Sequence, residues 1–543
     1  MLSNEKSNLL KTFLTILNSV YPWMLFILAA FPSMYGAFIS PDEIPYRDLY
    51  VLLYWIPVFT IPNLFFKRNF LYYFLSICIF TLGAIDIGFW NITDMPVNET
   101  NLHIFFNTNL TEAIGFASLN LSKGFLVYIP YLFILIFALR HPPKYKIKQF
   151  SRLESIITLS ILSISLLFFV RKTFQETFIS YGTPNSVRSV YTFYNDNKAY
   201  HNLTSEERLN SQKGNSKSII SEDEVIVLIL GESTSRNHMG LYNPALNTTP
   251  LLNKRNDLFV FQDVISGYPN TLESITNSLT NANVQNGMNP SVSVTLAEVF
   301  RGADYKTYWL SNQYPLGIWN NLVSIFAQQY EETVFLKLID SIKTGYDEEL
   351  FSPLVKALHE KATKKLIVLH LDGAHQTYNL KYPAAFNINK KHATPEEKIR
   401  NEYHNAILYN DFVVDSLINL VKEYCDKNQT IGSIVYAPDH GESIYDCENK
   451  FLGHSYVSLR TPKCMVEIPY ITWLSSSYKK AFPNRVKSIE DNLNKPYMTD
   501  DLFHSLIDLG NIKNSHLDLT RSIYHKSFIP KERIFTDGAN YDK

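Results

Sequence analysis

The chain has 543 residues, enough for two or three domains. Its 50 Lys and Arg against 51 Asp and Glu leave a net charge of −1, which excludes a basic nucleic-acid binder and a polyacidic disordered chain. Charged residues are only 19% and aromatics reach 14%, so part of the chain is predicted to sit in lipid; four cysteines are too few for a disulfide-built scaffold.

The first third carries five apolar segments, read as spans because a bilayer core needs roughly 20 residues. They are Val20–Ile39, Leu49–Phe66, Phe70–Trp90, Gly124–Leu139 and Leu153–Val170. The first is long, is followed closely by a second and shows no small-residue cleavage site, which argues against a cleaved signal. Lys6 and Lys11 precede it, Lys67 and Arg68 follow the second, and Arg140, Lys144, Lys146, Lys148 and Arg152 follow the fourth. The other two loops are acidic or neutral. The positive-inside rule then puts the N-terminus in the cytoplasm and everything after Val170 on the far side.

From Thr173 to about Glu222 the chain is polar and mixed, and reads as a linker with some interfacial helix. Beyond it, short apolar runs alternate with helical patterns: Val225–Leu230, Leu366–Leu371, Ile434–Ala437 and Ile468–Trp473. Fully apolar short runs spaced by helices predict an α/β domain with a mostly parallel central sheet covered on both faces. The expected division is residues 1–172 membrane domain, 173–222 linker and 223–543 catalytic domain.

Ligands of such sheets bind beyond the carboxyl ends of the strands. Glu232 follows the first run. His370 lies within the second, with Asp372 and His375 after it. Asp439 and His440 follow the third, and His454 lies 14 residues beyond His440. Any one of these has an ordinary structural reading, but four together at one sheet edge point to a metal site of oxygen and nitrogen donors, suited to zinc or manganese. The chemistry also needs a nucleophile. Ser233, Thr234 and Thr271 are all candidates. Thr271 opens a predicted helix, where a hydroxyl either caps the helix or faces an anion drawn by the free N–H groups.

Several motifs occur in order: Gly231-Glu232-Ser233-Thr234-Ser235-Arg236, Thr248-Thr249-Pro250, Tyr268-Pro269-Asn270-Thr271, Trp309-Leu310-Ser311-Asn312-Gln313, His370–His375, Tyr409-Asn410-Asp411 and Pro438-Asp439-His440-Gly441-Glu442. This set resembles the bacterial phosphoethanolamine transferases, membrane members of the alkaline phosphatase and sulfatase superfamily. The resemblance covers nearly the whole chain. The first and last motifs resemble the branch that modifies lipopolysaccharide core heptose phosphate more than the lipid A branch.

What the resemblance implies goes beyond what spacing alone shows. It implies an α-helical membrane domain followed by a sulfatase-like α/β domain, placed in the inner membrane and periplasm of a Gram-negative cell. Thr271 matches the family's nucleophile, 39 positions after Glu232, and Thr234 does not. The implied ligands of one zinc ion are Glu232, Thr271, Asp439 and His440. His375 and His454 match histidines that hold the donor phosphate or a second zinc, and His370 matches a position near the site. The implied reaction is two-step, from phosphatidylethanolamine through phospho-Thr271 to an envelope acceptor such as lipopolysaccharide core or lipid A. The lipid bilayer is a partner and nucleic acid is not. One departure concerns cysteine: relatives often carry several disulfides, whereas only Cys425, Cys447 and Cys464 lie in the soluble part here. Cys447 with Cys464 would close a loop around His454, though sequence leaves the pairing open. A glycerol-phosphate transferase or phosphonate monoester hydrolase of the same superfamily is the competing enzyme reading. A membrane sensor with a vestigial site is the non-enzyme reading.

Overall fold

The computed structural model describes residues 23–39, 70–93, 97, 102, 123–142, 156, 160, 163, 167, 193–196, 198–315, 322–337, 345–447, 451–454, 461–536 and 538–543. The span read over Leu49–Phe66 lies outside the described residues, as does Leu153–Val170 apart from four isolated helical positions. The chain divides into two compact units, one holding the N-terminal helices and the other holding Asn195–Lys543.

Three helices make up most of the described part of the first unit: α1 (Trp23–Ile39), α2 (Phe70–Thr93) and α3 (Tyr128–Arg140), the last preceded by a 3-10 turn, Lys123–Val127. Leu25, Leu28, Tyr72, Ile79, Ile87, Tyr131 and Leu135 pack between them. Tyr131 ties all three, its hydroxyl lying 3.1 Å from Leu28 O and 3.3 Å from Ile79 O. Outward, α3 exposes Leu132, Phe133, Ile136 and Phe137, and α2 exposes Phe74, Ile77 and Ile85. Apolar side chains outside with hydroxyl groups bonded inside is the pattern of helices in lipid, where each polar group must find an internal partner. Of the described helices, the stretch Tyr72–Asn91 alone is long and apolar enough to cross a membrane; those in α1 and α3 are shorter.

The second unit is built on a seven-stranded sheet. Its strands are β1 (Glu224–Gly231), β2 (Leu258–Phe261), β3 (Lys306–Ser311), β4 (Glu332–Phe335), β5 (Lys364–His370), β6 (Ile431–Pro438) and β7 (Tyr470–Leu474), in spatial order β2-β7-β6-β1-β5-β3-β4. All run one way except β7, which is antiparallel to both neighbours. The four predicted apolar runs fall on β1, β5, β6 and β7. The side chains of β1 alternate between two cores, Ile226, Leu228 and Leu230 on one face and Val225, Val227 and Ile229 on the other. Helices α4 (Thr271–Ser278), α5 (Leu296–Gly302) and, later in the chain, α8 (Leu502–Leu509) cover the first face. Helices α6 (Phe351–His359) and α7 (Pro395–Asn428) cover the second. Burial on both faces is why every position of β1 is apolar between its ends.

Within the polar stretch before β1, Tyr200 and Leu203 belong to the domain core. Arg208 pairs with the buried Glu298 at 2.7 Å, and Lys217–Ser218 pairs with Ile512–Lys513. The register brings the carboxyl ends of four strands level: Gly231 faces Pro438, Leu230 faces His370, and His370 faces Ser311. The next residue or two of each strand therefore share one edge.

Candidate metal centre and nucleophile

At that edge Glu232 leaves β1 and Asp439 leaves β6, their backbones still joined by Asp439 N donating to Gly231 O at 3.1 Å. Glu232, Asp439 and His440 are buried and their ligand atoms converge. His440 Nε2 lies 3.4 Å from Glu232 Oε1 and 3.4 Å from Asp439 Oδ2. The loop after β5 comes close enough to need glycine: Gly373 has φ +54°, and a Cβ there would lie 2.6 Å from Glu232 O.

Thr271 arrives from α4. Its hydroxyl lies 3.1 Å from His440 Nε2 and 3.3 Å from Glu232 Oε2. The cap of α4 is Asn270, whose side chain accepts from Glu273 N at 3.0 Å. Asn270 thus takes the role that a terminal threonine commonly plays, and the Thr271 hydroxyl is left to the carboxylate and the imidazole. Ser233 and Thr234 are placed differently. Both are buried; Ser233 Oγ donates to Glu232 Oε1 at 2.6 Å and Thr234 Oγ1 to Glu232 O at 3.2 Å. Thr271 is half-buried.

His375 and His454 are half-buried as well. Their rings lie 5.4 Å apart, and the His454 ring lies 4.1 Å from that of His440. Buried Glu232, Asp439 and His440 thus underlie half-buried Thr271, His375 and His454. His370 is not among the groups whose ligand atoms converge. It stays inside the sheet against Trp309, 3.2 Å from Ser311 Oγ, and burial pushes its imidazole down to about 3. The motifs at Thr248–Pro250 and Tyr409–Asp411 serve each other, with Asp411 accepting from Leu251 N and Leu252 N at 2.8 and 3.0 Å.

Two residues at the site escaped sequence reasoning. Gln313 donates to Glu232 Oε2 at 3.1 Å and to Leu371 O at 2.9 Å. Glu442 binds His454 Nδ1 at 2.7 Å. Both stand in quoted motifs, but an amide and a second carboxylate gave no chemical reason to select them.

Burial opposes charge throughout. It pushes Glu232 up to about 8, aided by the Asp439 charge, and Asp439 up to about 7. It pushes His440 down to about 4 and lowers His375 and His454. Among the described residues no Lys or Arg forms an ion pair with Glu232 or Asp439. A cation is what such a cluster lacks. The donor atoms fit one: Asp439 Oδ2 is buried with no hydrogen-bond partner. His440 Nδ1 donates to Gly441 O at 2.8 Å, which leaves Nε2 with its lone pair for a metal. Two carboxylates, an imidazole nitrogen and a hydroxyl suit zinc.

The sulfatase family model matches residues 224–512. The phosphoethanolamine transferase EptC of Escherichia coli is 27% identical over 532 residues, covering 91% of this chain and 88% of that protein. The crystal structure of the C-terminal periplasmic domain of E. coli EptC in complex with Zn superposes with a TM-score of 0.53 at 29% identity, covering 59% of this chain and 92% of that one. The integral membrane lipooligosaccharide phosphoethanolamine transferase A of Neisseria meningitidis shares the fold over 94% of this chain and 97% of its own, with a TM-score of 0.60 at 16% identity. The family match extends over more than half of the residues, and the chain belongs to the sulfatase family.

Proposed function

We propose that this protein is a zinc-dependent phosphoethanolamine transferase that moves phosphoethanolamine from phosphatidylethanolamine to lipopolysaccharide core or lipid A through a phospho-threonine. The observation that carries the reading is the half-buried Thr271 hydroxyl, set between Glu232 and His440 at the N-terminus of α4. The names of the full-length relatives supply the transferred group, and the zinc complex of the EptC domain supplies the metal.

Glu232, Asp439, His440 and Thr271 would hold the zinc ion, which would supply a lowered pKa for the Thr271 hydroxyl and an offset to charge on the phosphoryl oxygens. Thr271 Oγ1 attacks phosphorus, and diacylglycerol departs into the bilayer. The acceptor then attacks phospho-Thr271 and takes the phosphoethanolamine. Gln313 and Ser233 hold the Glu232 carboxylate in place throughout. His375 and His454, at the open side, hold phosphate and handle the proton of the departing oxygen. Residues 1–172 form the membrane domain and 223–543 the periplasmic catalytic domain, with 173–222 joining them and lending Tyr200 and Leu203 to the catalytic core, and the N-terminus in the cytoplasm. A lipid donor explains why the catalytic part is tied to a membrane.

The test is mass spectrometry of the Thr271 peptide after incubation with phosphatidylethanolamine labelled in its headgroup. A zinc-dependent adduct of one phosphoethanolamine on Thr271 is expected. No adduct and no diacylglycerol from the zinc-loaded protein would overturn the reading. A reporter fused after Lys543 and active only in the cytoplasm would overturn the topology.

A further inference from the structure

We propose that the loop after α4 and the turn around Ile529 form a docking surface that seats the catalytic domain on the outer face of the bilayer holding the donor lipid. The proposal rests on the membrane topology and the lipid donor proposed above. Met288, Val292, Leu519 and Ile529 are exposed, Val292 and Ile529 by 64% and 66%. Single exposed apolar residues are ordinary, but a group of them on one face marks a surface that is covered when the protein works. Hydrogen bonds bring the two segments carrying these four together. Gln285 donates to Glu532 O at 3.4 Å and accepts from Arg521 Nη2 at 3.5 Å. Ile529 N donates to Thr520 O at 2.9 Å, which sets Ile529 beside the strand of chain that holds Leu519.

The loop is built to hold its apolar side chains outward. Asn283 and Asn286 each accept from the other's backbone N–H, at 2.9 and 3.0 Å. Asn289 caps the 3-10 turn Pro290–Val292 by accepting from Ser291 N at 2.9 Å. Gly287 turns the tip with φ +60°, and nothing lies within 4 Å of where its Cβ would stand. The segment that brings the chain from the fifth predicted span grips this same loop. Asn289 Nδ2 donates to Asp196 at 3.3 Å, and Arg208 donates to Val292 O at 3.4 Å and to Ser293 O at 2.7 Å. A short tether raises the effective concentration of what it is anchored in, here the bilayer, at the face where it arrives. Charge agrees with a lipid surface. Lys526 is exposed on the turn of Ile529, while Asp518 accepts from Thr520 and Glu532 lies 3.7 Å from Lys543. Apolar tips in the headgroup layer with an ammonium group at the phosphates are how a domain rests on a bilayer without crossing it. Because α4 leads from Thr271 into this loop over 8 residues, docking sets the height of the nucleophile above the lipid.

The test uses the full-length, zinc-loaded protein in phosphatidylcholine nanodiscs, with Cys78→Ser removing the half-buried thiol of α2. A fluorophore on Val292→Cys or on Ile529→Cys is expected to be quenched by phosphatidylcholine spin-labelled in its headgroup. The same fluorophore on Val355→Cys, in α6 over the other face of the sheet, is expected to keep its emission. Two donors then link docking to transfer. Val292→Asp combined with Ile529→Asp is expected to raise the KM for phosphatidylethanolamine in the nanodisc about ten-fold, since two buried apolar groups are lost. It is expected to leave kcat/KM for a water-soluble, short-chain phosphatidylethanolamine at the wild-type value, because that donor reaches Thr271 from solution. Emission unquenched at both positions, or equal losses on the two donors, would overturn the proposal. Quenching needs no turnover, so a wild-type protein that forms no Thr271 adduct from either donor would overturn the transferase reading and leave the docking surface to be decided by the fluorophores.

Discussion

Ser233, Thr234 and Thr271 carry the same functional group and differ in what surrounds it. Spacing does not separate them, because position along the chain says nothing about which hydroxyl faces open space. The structure buries the first two against Glu232 and leaves Thr271 half-open with its helix already capped by Asn270. Thr271→Ala should therefore lower transfer at least about a thousand-fold while the protein stays folded, since removing a nucleophile removes the reaction path; the rate of diacylglycerol release measures it. A second residue makes a pH prediction outside the site. Glu224 opens β1, is buried, and accepts hydrogen bonds from Tyr305 and from Asn511. Burial pushes it up to about 8, against about 4.3 when unfolded. Between those values the folded state binds more protons, so stability is highest at acid pH and falls as pH rises toward 8. Glu224→Gln should flatten this part of the Tm–pH curve. Thermal melts of the zinc-loaded protein from about pH 5 to about pH 8 check it.

At the scale of elements, the cysteines show how much a local loop contributes. Cys447 and Cys464 are joined, with Cα atoms 6.0 Å apart and a separation of 17 positions in sequence, while Cys78 and Cys425 are free. The loop they close contains His454, and Glu442 stands just before it. In the chain-entropy account a cross-link of this loop length is worth about 3 kcal/mol. Replacing both cysteines by serine should lower the unfolding free energy by about that amount in denaturant titration. It should also slow transfer, because His454 loses part of its support. The strands were legible because burial on both faces demands unbroken apolar runs. The reversed direction of β7 was not, because a run buried on both faces reads the same in either direction. The cap of α4 was not legible either, since Asn270 and Thr271 are both good capping residues and their dihedral angles decide between them.

For the whole molecule, the metal and the fold depend on each other. Glu232 and Asp439 come from strands far apart in sequence, and burial disfavours charge on both. A cation bound there is bound by the folded state alone. Removing zinc with a chelator should lower Tm, and adding it back should restore it; at 100 times its Kd the ion contributes about 2.7 kcal/mol. Unchanged melting after chelation would count against the donor set. Taken alone, the amino-acid order determined the combination of apolar helices with a mostly parallel α/β sheet, because hydropathy and its period are local properties. It also identified most of the residues at the sheet edge, because an α/β sheet places its chemistry just beyond the carboxyl ends of its strands. Tertiary structure decided which hydroxyl lies open, that His370 stays inside the sheet, and that Gln313 and Glu442 support the site. Those outcomes depend on which side chains meet across strands and loops distant in sequence, and no local pattern records them.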